Sequence, residues 1–232
     1  MKRRYALRRT IAMLVVLTIV LLGIVQNPDF YQTQPPAQTT QSEEYVTAVT
    51  VLAELEVKGR AAKTGYTRSQ FGDGWSSIAG CDTRNEILRR DLTNTIINTK
   101  CQVVSGQLTD PYTGIVIEFQ RGSTSSQAVQ IDHVVALSDA WQKGAQQLTP
   151  VERTALANDP LELIAVDGAS NQQKGDGDAA TWLPPHKPFR CQYVARQIAV
   201  KKKYRLWVTQ AEKDAMLRVL GGCPGQALPV GL

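Results

Sequence analysis

Val129-Gln130-Ile131-Asp132-His133-Val134-Val135-Ala136-Leu137 sets a carboxylate and an imidazole side by side within an aliphatic run. Aliphatic residues on both sides predict a buried strand that delivers two polar side chains at its end. Burying such a pair costs free energy unless each group finds a partner or a task. The chain has two histidines, the other being His186. If an imidazole does acid–base chemistry near neutral pH here, His133 is one of two candidates.

On the C-terminal side, Ser138 is expected to cap a helix containing Trp141. Thr149-Pro150-Val151-Glu152 reads as a capping box for a second helix, ending near Asn158-Asp159-Pro160. A second short strand follows at residues 161–166, then the polar start of a helix, with Asn171 as a candidate cap. On the N-terminal side, Ile115-Val116-Ile117-Glu118-Phe119 reads as a strand that pairs with residues 128–131, after a turn at Asp110-Pro111-Tyr112-Thr113-Gly114. Thr83-Arg84-Asn85-Glu86 predicts a capping box, with Arg84, Arg89 and Arg90 on a solvated face. Residues 65–75 form a glycine-punctuated aromatic loop, and a first amphipathic helix is expected over residues 43–57.

The chain of 232 residues, 43% hydrophobic, supports one core once its N-terminus is set aside. Lys2, Arg3, Arg4, Arg8 and Arg9 precede an uncharged apolar run, the order of an export signal. Residues 1–27 are therefore expected to be a signal peptide or an uncleaved membrane anchor, residues 28–42 a Gln/Thr/Pro-rich linker, and residues 43–232 the folded domain. Either N-terminal reading carries the body out of the cytoplasm.

The formal charge of +5 is concentrated at that end. The first 37 residues hold five of 26 basic and one of 21 acidic residues, leaving 21 against 20 in the body. Net charge is thus no argument for nucleic-acid binding. Local clustering is a better one. Lys187, Arg190, Arg196, Lys201, Lys202, Lys203 and Arg205 run without an acidic residue, with Tyr193, Tyr204 and Trp207 nearby. Such a helix either tracks a phosphate backbone or is a solvated face. Thr209 caps a last helix, which stops at Gly221-Gly222.

Cys81, Cys101, Cys191 and Cys223 fit two disulfides in an oxidising compartment. Of three possible pairings, Cys81 with Cys101 and Cys191 with Cys223 is expected, since neighbours in sequence meet most easily. The absence of a C-x-x-C argues against zinc and dithiol redox chemistry.

Asp132-His133, a strand some thirty residues later and Asn171-x-x-Lys174 together resemble the HNH, or His-Me finger, endonucleases. More narrowly, Asp132 to Leu137, Ala169 to Asp176 and Thr181-Trp182-Leu183-Pro184-Pro185 look like exported actinobacterial HNH proteins related to the C-terminal domain of GmrSD-type restriction enzymes. The resemblance also takes in Cys81-Asp82-Thr83-Arg84 and the turn at residues 110–114.

It implies an α+β fold, mainly helical around a small ββα-metal unit and stapled by the two disulfides. It also implies His133 as general base and Asp132 with Asn171 as ligands of one divalent cation, most simply Mg²⁺. Lys174 would sit near phosphate, and Lys187, Arg190, Arg196 and Lys201 are the further candidates for nucleic-acid contact. The family usually has asparagine where this chain has Glu162, bracing the histidine loop. Either Asn158 takes over that brace, Glu162 joins the metal shell, or activity is weakened. Asp176 and Asp178 read as turn residues rather than calcium ligands, and His186 as a surface residue.

The expected function is that of an exported, metal-dependent, monomeric endonuclease cleaving DNA, or RNA, with little sequence preference and no protein partner. The alternative is a non-catalytic extracellular nucleic-acid or cell-envelope binding module on the same scaffold. A Ser/His/Asp hydrolase fits poorly, because no Gly-x-Ser-x-Gly elbow is present.

Overall fold

The computed structural model describes residues 46–229 apart from 79 and 124. The expected signal or anchor (1–27) and linker (28–42) lie outside these residues. Among the described residues, no helix is long and apolar enough to cross a membrane. The described part is α+β, with helices around three small antiparallel sheets.

Helix α1 (Ala48–Glu54) is capped by Thr47, which accepts from the Thr50 amide. It stops short of the expected end because the chain turns extended at Leu55 and Val57 bridges Val208. The Lys58 and Val208 amides then donate across to Val208 and Glu56, so inter-segment bonding replaces the last helical turn. A hairpin, β1 (Ser77–Ile78) with β2 (Cys81–Asp82), leads into α2 (Thr83–Asp91). The cap lies one residue earlier than the expected box. Asp82 accepts from the Asn85 amide, while the Thr83 hydroxyl donates to the Ser76 carbonyl.

Strands β3 (Thr93–Ile97), β4 (Val103–Thr109) and β5 (Val116–Gln120) form a meander. The expected partner of the 115–119 run was wrong: it pairs with β4, Phe119 opposite Gly106. β6 (Val129–His133) instead pairs antiparallel with β7 (Leu163–Asp167), Ile131 opposite Ala165 and His133 opposite Leu163. Burial explains the exchange. β6 and β7 are buried nearly throughout, whereas β5 exposes Val116, Glu118 and Gln120, so two strands needing cover on both faces take each other. Residue alternation then feeds two cores. Ile131, Leu163 and Ala165 pack with Ile87 and Leu108, while Ile164 and Val166 pack with the helical core around Val194 and Ile198.

The remaining helices are α3 (Leu137–Gln142), α4 (Pro150–Ala157), α5 (Gly168–Lys174), α6 (Arg190–Lys203) and α7 (Gln210–Leu220). The capping box at Thr149 and Glu152 forms as read. Ser138 does not cap α3; it lies within the helix and donates to Asp176 at 3.1 Å. Nor does Asn171 cap α5. Asp167, the last residue of β7, accepts from the Ser170 amide at 2.7 Å and starts the helix directly off the strand. Gly168 permits that junction, since a Cβ there would lie 2.0 Å from the Gln127 carbonyl oxygen.

Both disulfides pair as expected, Cys81 with Cys101 and Cys191 with Cys223. The second ties the start of α6 to the chain just beyond α7. Between α3, α6 and α7 lies a buried ionic cluster: Lys143 and Lys201 pair with Asp139 and Glu212, and Lys143 and Arg60 with Asp178. Charge is balanced, which offsets the desolvation of each group. Replacing Cys191 and Cys223 together by serine is expected to lower unfolding stability by about 3 kcal/mol, read as a fall in urea midpoint at unchanged slope. An unchanged midpoint would show that the helix pair needs no staple.

Candidate active site

His133 ends β6, and pairing with β7 continues one step beyond it, the Val134 amide donating to the Glu162 carbonyl. The residue is 6% exposed, with Nε2 3.0 Å from the Ala157 carbonyl oxygen. A carbonyl only accepts, so Nε2 carries the proton and Nδ1 keeps its lone pair. Trp75 lies parallel to the imidazole, centroids 5.9 Å apart and planes 6° apart. Burial pushes the His133 pKa down to about 3; the Ala157 contact opposes this, while Arg68 and Lys174 add to it. The imidazole is therefore neutral at physiological pH and can take a proton.

Asp132 is held from two sides. Tyr112 donates its hydroxyl to Oδ2, and Lys174 donates to Oδ1 at 2.9 Å and to the His133 carbonyl at 2.7 Å. Burial first, then the Asp132 charge, pushes the Tyr112 pKa well up, so the phenol stays a donor. Tyr112 sits in the turn that the sequence shows only as a turn. Asp110 fixes that turn, accepting from the Thr113 amide at 2.7 Å and the Asp167 amide at 2.8 Å. Trp182 and Tyr193 pack edge-on against Tyr112 at 5.0 and 5.7 Å. The turn at 110–114 and the Trp182 segment thus both support one carboxylate.

Asp132, His133 and Asn171 line one cleft of about 560 Å³. Asn171 donates Nδ2 to Gln130 Oε1 at 2.9 Å, and among the described residues no donor takes its amide oxygen. A buried carboxylate and an open amide oxygen are hard donors of the kind a divalent cation uses while keeping several waters. Lys174 is the competitor, its ammonium lying where it already neutralises Asp132. Among the described residues, the one group of three side chains of metal-ligand type is Cys81, Glu86 and Cys101. Its sulfurs are joined in the disulfide, so it is no metal site.

Several sequence-read candidates take other places. Glu162 is fully buried and is itself the brace, its Oε2 accepting from the Val135 amide at 3.2 Å. Asn158 accepts from the Ser76 amide and donates to the Thr154 carbonyl, away from the histidine loop. Lys201 is fully buried in the ionic cluster and Arg196 is satisfied by the carbonyls of Pro160, Leu161 and Leu163. Neither is therefore available to a phosphate backbone. Arg190 donates to the Pro184 carbonyl, and Lys187 is exposed beside it on a separate groove. Lys174 is buried against Asp132 rather than open to phosphate. His186 is half-buried rather than a surface residue, packed on Gly114, whose φ of 79° needs glycine. Cations that the sequence reading gave no role here, Lys63, Arg68 and Arg84, line the cleft instead.

The model of the C-terminal domain of GmrSD restriction endonucleases matches residues 82–219. A chain from Arthroderma benhamiae, described as an uncharacterized secreted protein, is 40% identical over 180 residues, covering 76% of this chain and 85% of that one. This chain therefore belongs to the GmrSD C-terminal domain family, a family of restriction-endonuclease relatives.

Glu162 gives a pH test of the brace. Burial raises its pKa well above the usual carboxylate range. A carboxyl raised in the folded state stabilises fully below its unfolded pKa, and that contribution is lost as pH rises toward the folded value. Wild-type stability should therefore fall between pH 5 and 8 relative to Glu162→Gln, whose amide oxygen still accepts from Val135. Parallel urea-derived curves for the two proteins would show that Glu162 is not held protonated.

Proposed function

We propose that this chain is an exported, monomeric endonuclease of the HNH type, hydrolysing phosphodiesters of DNA, or RNA, with a divalent cation and little sequence preference. The observation that carries this reading is the convergence of His133, Asp132 and Asn171 on one cleft. Membership of the GmrSD family supports a nuclease. Export is supported by the basic-then-apolar N-terminus, the paired cysteines and the secreted relative. Low preference is supported by the lysine and arginine side chains of the cleft, which can hold a phosphate backbone whatever the base sequence. The β6, β7 and α5 succession would be the ββα unit.

In this reading His133 Nδ1 removes a proton from water as the water attacks phosphorus, and the Ala157 carbonyl steadies the imidazolium through the opposite nitrogen. Burial keeps the ring neutral beforehand. An anionic phosphate entering the cleft opposes the burial effect and raises basicity when the proton must move. Tyr112 and Lys174 fix the direction of Asp132. Asp132 and Asn171 would hold a hard divalent cation, Mg²⁺ being the first choice, which when bound would supply charge compensation for the phosphate.

The contact of Lys174 with Asp132 favours a second reading, a binding module on the same scaffold without catalysis. Plasmid nicking in Mg²⁺ separates the two. His133→Ala is expected to slow nicking by about 10²- to 10⁴-fold, and chelator to stop it. Nicking that survives either change would overturn the metal-dependent mechanism with His133 as its base, and salt-sensitive binding without nicking in any divalent metal would establish the second.

The acid limb of kcat/KM reports the free enzyme's base. With His133 near 3, the base stays unprotonated as pH falls, so kcat/KM should show no loss from this group between pH 8 and 5. A half-loss near pH 6.5 would mean an ordinary, solvated histidine. Asn171→Ala should raise the metal concentration for half-maximal nicking at least about tenfold, on the scale seen for weakened metal shells. An unchanged requirement would take Asn171 out of the site.

A further inference from the structure

The charges lining the cleft do not cancel. Asp132 is paired with Lys174, and Asp176 with Lys63 at 3.2 Å. Arg68 and Arg84 are left. Among the described residues, neither has a carboxylate within ion-pair distance or a hydrogen-bond acceptor for its guanidinium, although both line the cleft with His133, Asp132 and Asn171. The Asp82 carboxylate, two residues from Arg84, is committed to the Asn85 amide and side chain.

Arg84 is half-buried as well as unpaired. Burial first and then the neighbouring Arg121 lower its pKa, and the nearby Asp82 charge offsets them only in part, so its charge is held at a cost. Its guanidinium lies over the Phe119 ring at 6.0 Å, and its helix starts beside the Cys81–Cys101 disulfide. The group is thus pre-oriented, which reduces the rotamer entropy lost when it binds. Arg68, in the one-turn 3₁₀ segment Arg68–Phe71, is exposed and close enough to His133 to affect it electrostatically.

We propose that Arg84 and Arg68 are a two-guanidinium clamp for the phosphodiester backbone, taking the non-bridging oxygens of the strand laid across His133. The clamp rests on the nuclease reading for its place in a reaction, but its ligand is the nucleic-acid phosphate in either reading. Planar guanidinium forks match two phosphate oxygens at once, which an ammonium does not. This assigns the contact to the aromatic loop and to the start of α2, and takes it away from the basic helix α6.

The experiment uses the full chain and the variants Arg84→Gln, Arg68→Gln, Arg84→Lys and Lys187→Gln, the last on a groove that shares no residue with the cleft. Binding of a fluorescent oligonucleotide in chelator is measured across salt concentrations, and nicking in Mg²⁺ is measured separately. Each arginine-to-glutamine change should reduce the slope of log K against log salt by about 1. Arg84→Gln should also lower kcat/KM by about 10²-fold. Arg84→Lys should keep the slope but recover the rate only in part, and Lys187→Gln should match wild type. Melting temperatures within a few degrees of wild type establish that each variant is folded; if Arg84→Gln fails to fold, Arg68→Gln and Arg84→Lys decide.

Unchanged slopes and rates in a wild type that binds and nicks would overturn the clamp and leave the nuclease intact. Arginine-dependent slopes without nicking in any divalent metal would keep the clamp and remove the nuclease. A wild type that binds no oligonucleotide would remove both.

Discussion

The antiparallel pairing of β6 with β7 carries the rest of the molecule. Each strand is covered on both faces, and their register sets His133 opposite Leu163, so the imidazole arrives where the sheet ends and the chain leaves for α3. From the other strand, Asp167 ends β7 and caps α5 in the same residue, which sets Asn171 one turn into a helix lying beside β6. A slip of one residue would turn Asp132 and His133 to the opposite faces. Two features oppose such a slip: the division of β6 and β7 side chains between two cores, and the brace from Glu162 to the peptides after His133.

Around this pair, the polar groups do different physical work according to burial. His133 is a buried base kept neutral, Glu162 a buried acid pushed toward its neutral form, and Asp132 a buried anion held by a phenol and an ammonium. An unpaired buried charge is expensive, so Asp132 has an internal cation in Lys174. The same ammonium is what a bound divalent ion would have to share the carboxylate with. That single contact separates the catalytic reading from the binding one.

Distribution of cations in space, rather than along the chain, decides what the surface offers to nucleic acid. In the basic run, Lys201 closes a buried ionic cluster and Arg196 ties carbonyl groups at the start of β7. In the loop and helix before the meander, Arg68 and Arg84 are isolated in sequence yet share a cleft. A run of like charges on a helix that packs against both α1 and α7 cannot remain one surface, because a 3.6-residue period spreads it over every face.

The local signals that survive folding are those whose physics is local: the capping box at Thr149, the aliphatic run ending in Asp132-His133, the second strand near residue 163 and the two cysteine pairs. The family was legible for the same reason, since short ordered segments are read without knowing what they touch. Strand partners were not legible, because pairing depends on which face must be buried, and β3 and β4 lack the alternation that would announce them. Nor were the support of Asp132 by Tyr112, the brace by Glu162 and the place of Arg84 on the His133 cleft, each of which joins residues at least twenty positions apart. The sequence determines which groups are present and which short segments are regular. Only the tertiary packing decides which carboxylate meets a phenol, which lysine loses contact with water, and which arginine is left with nothing to bind.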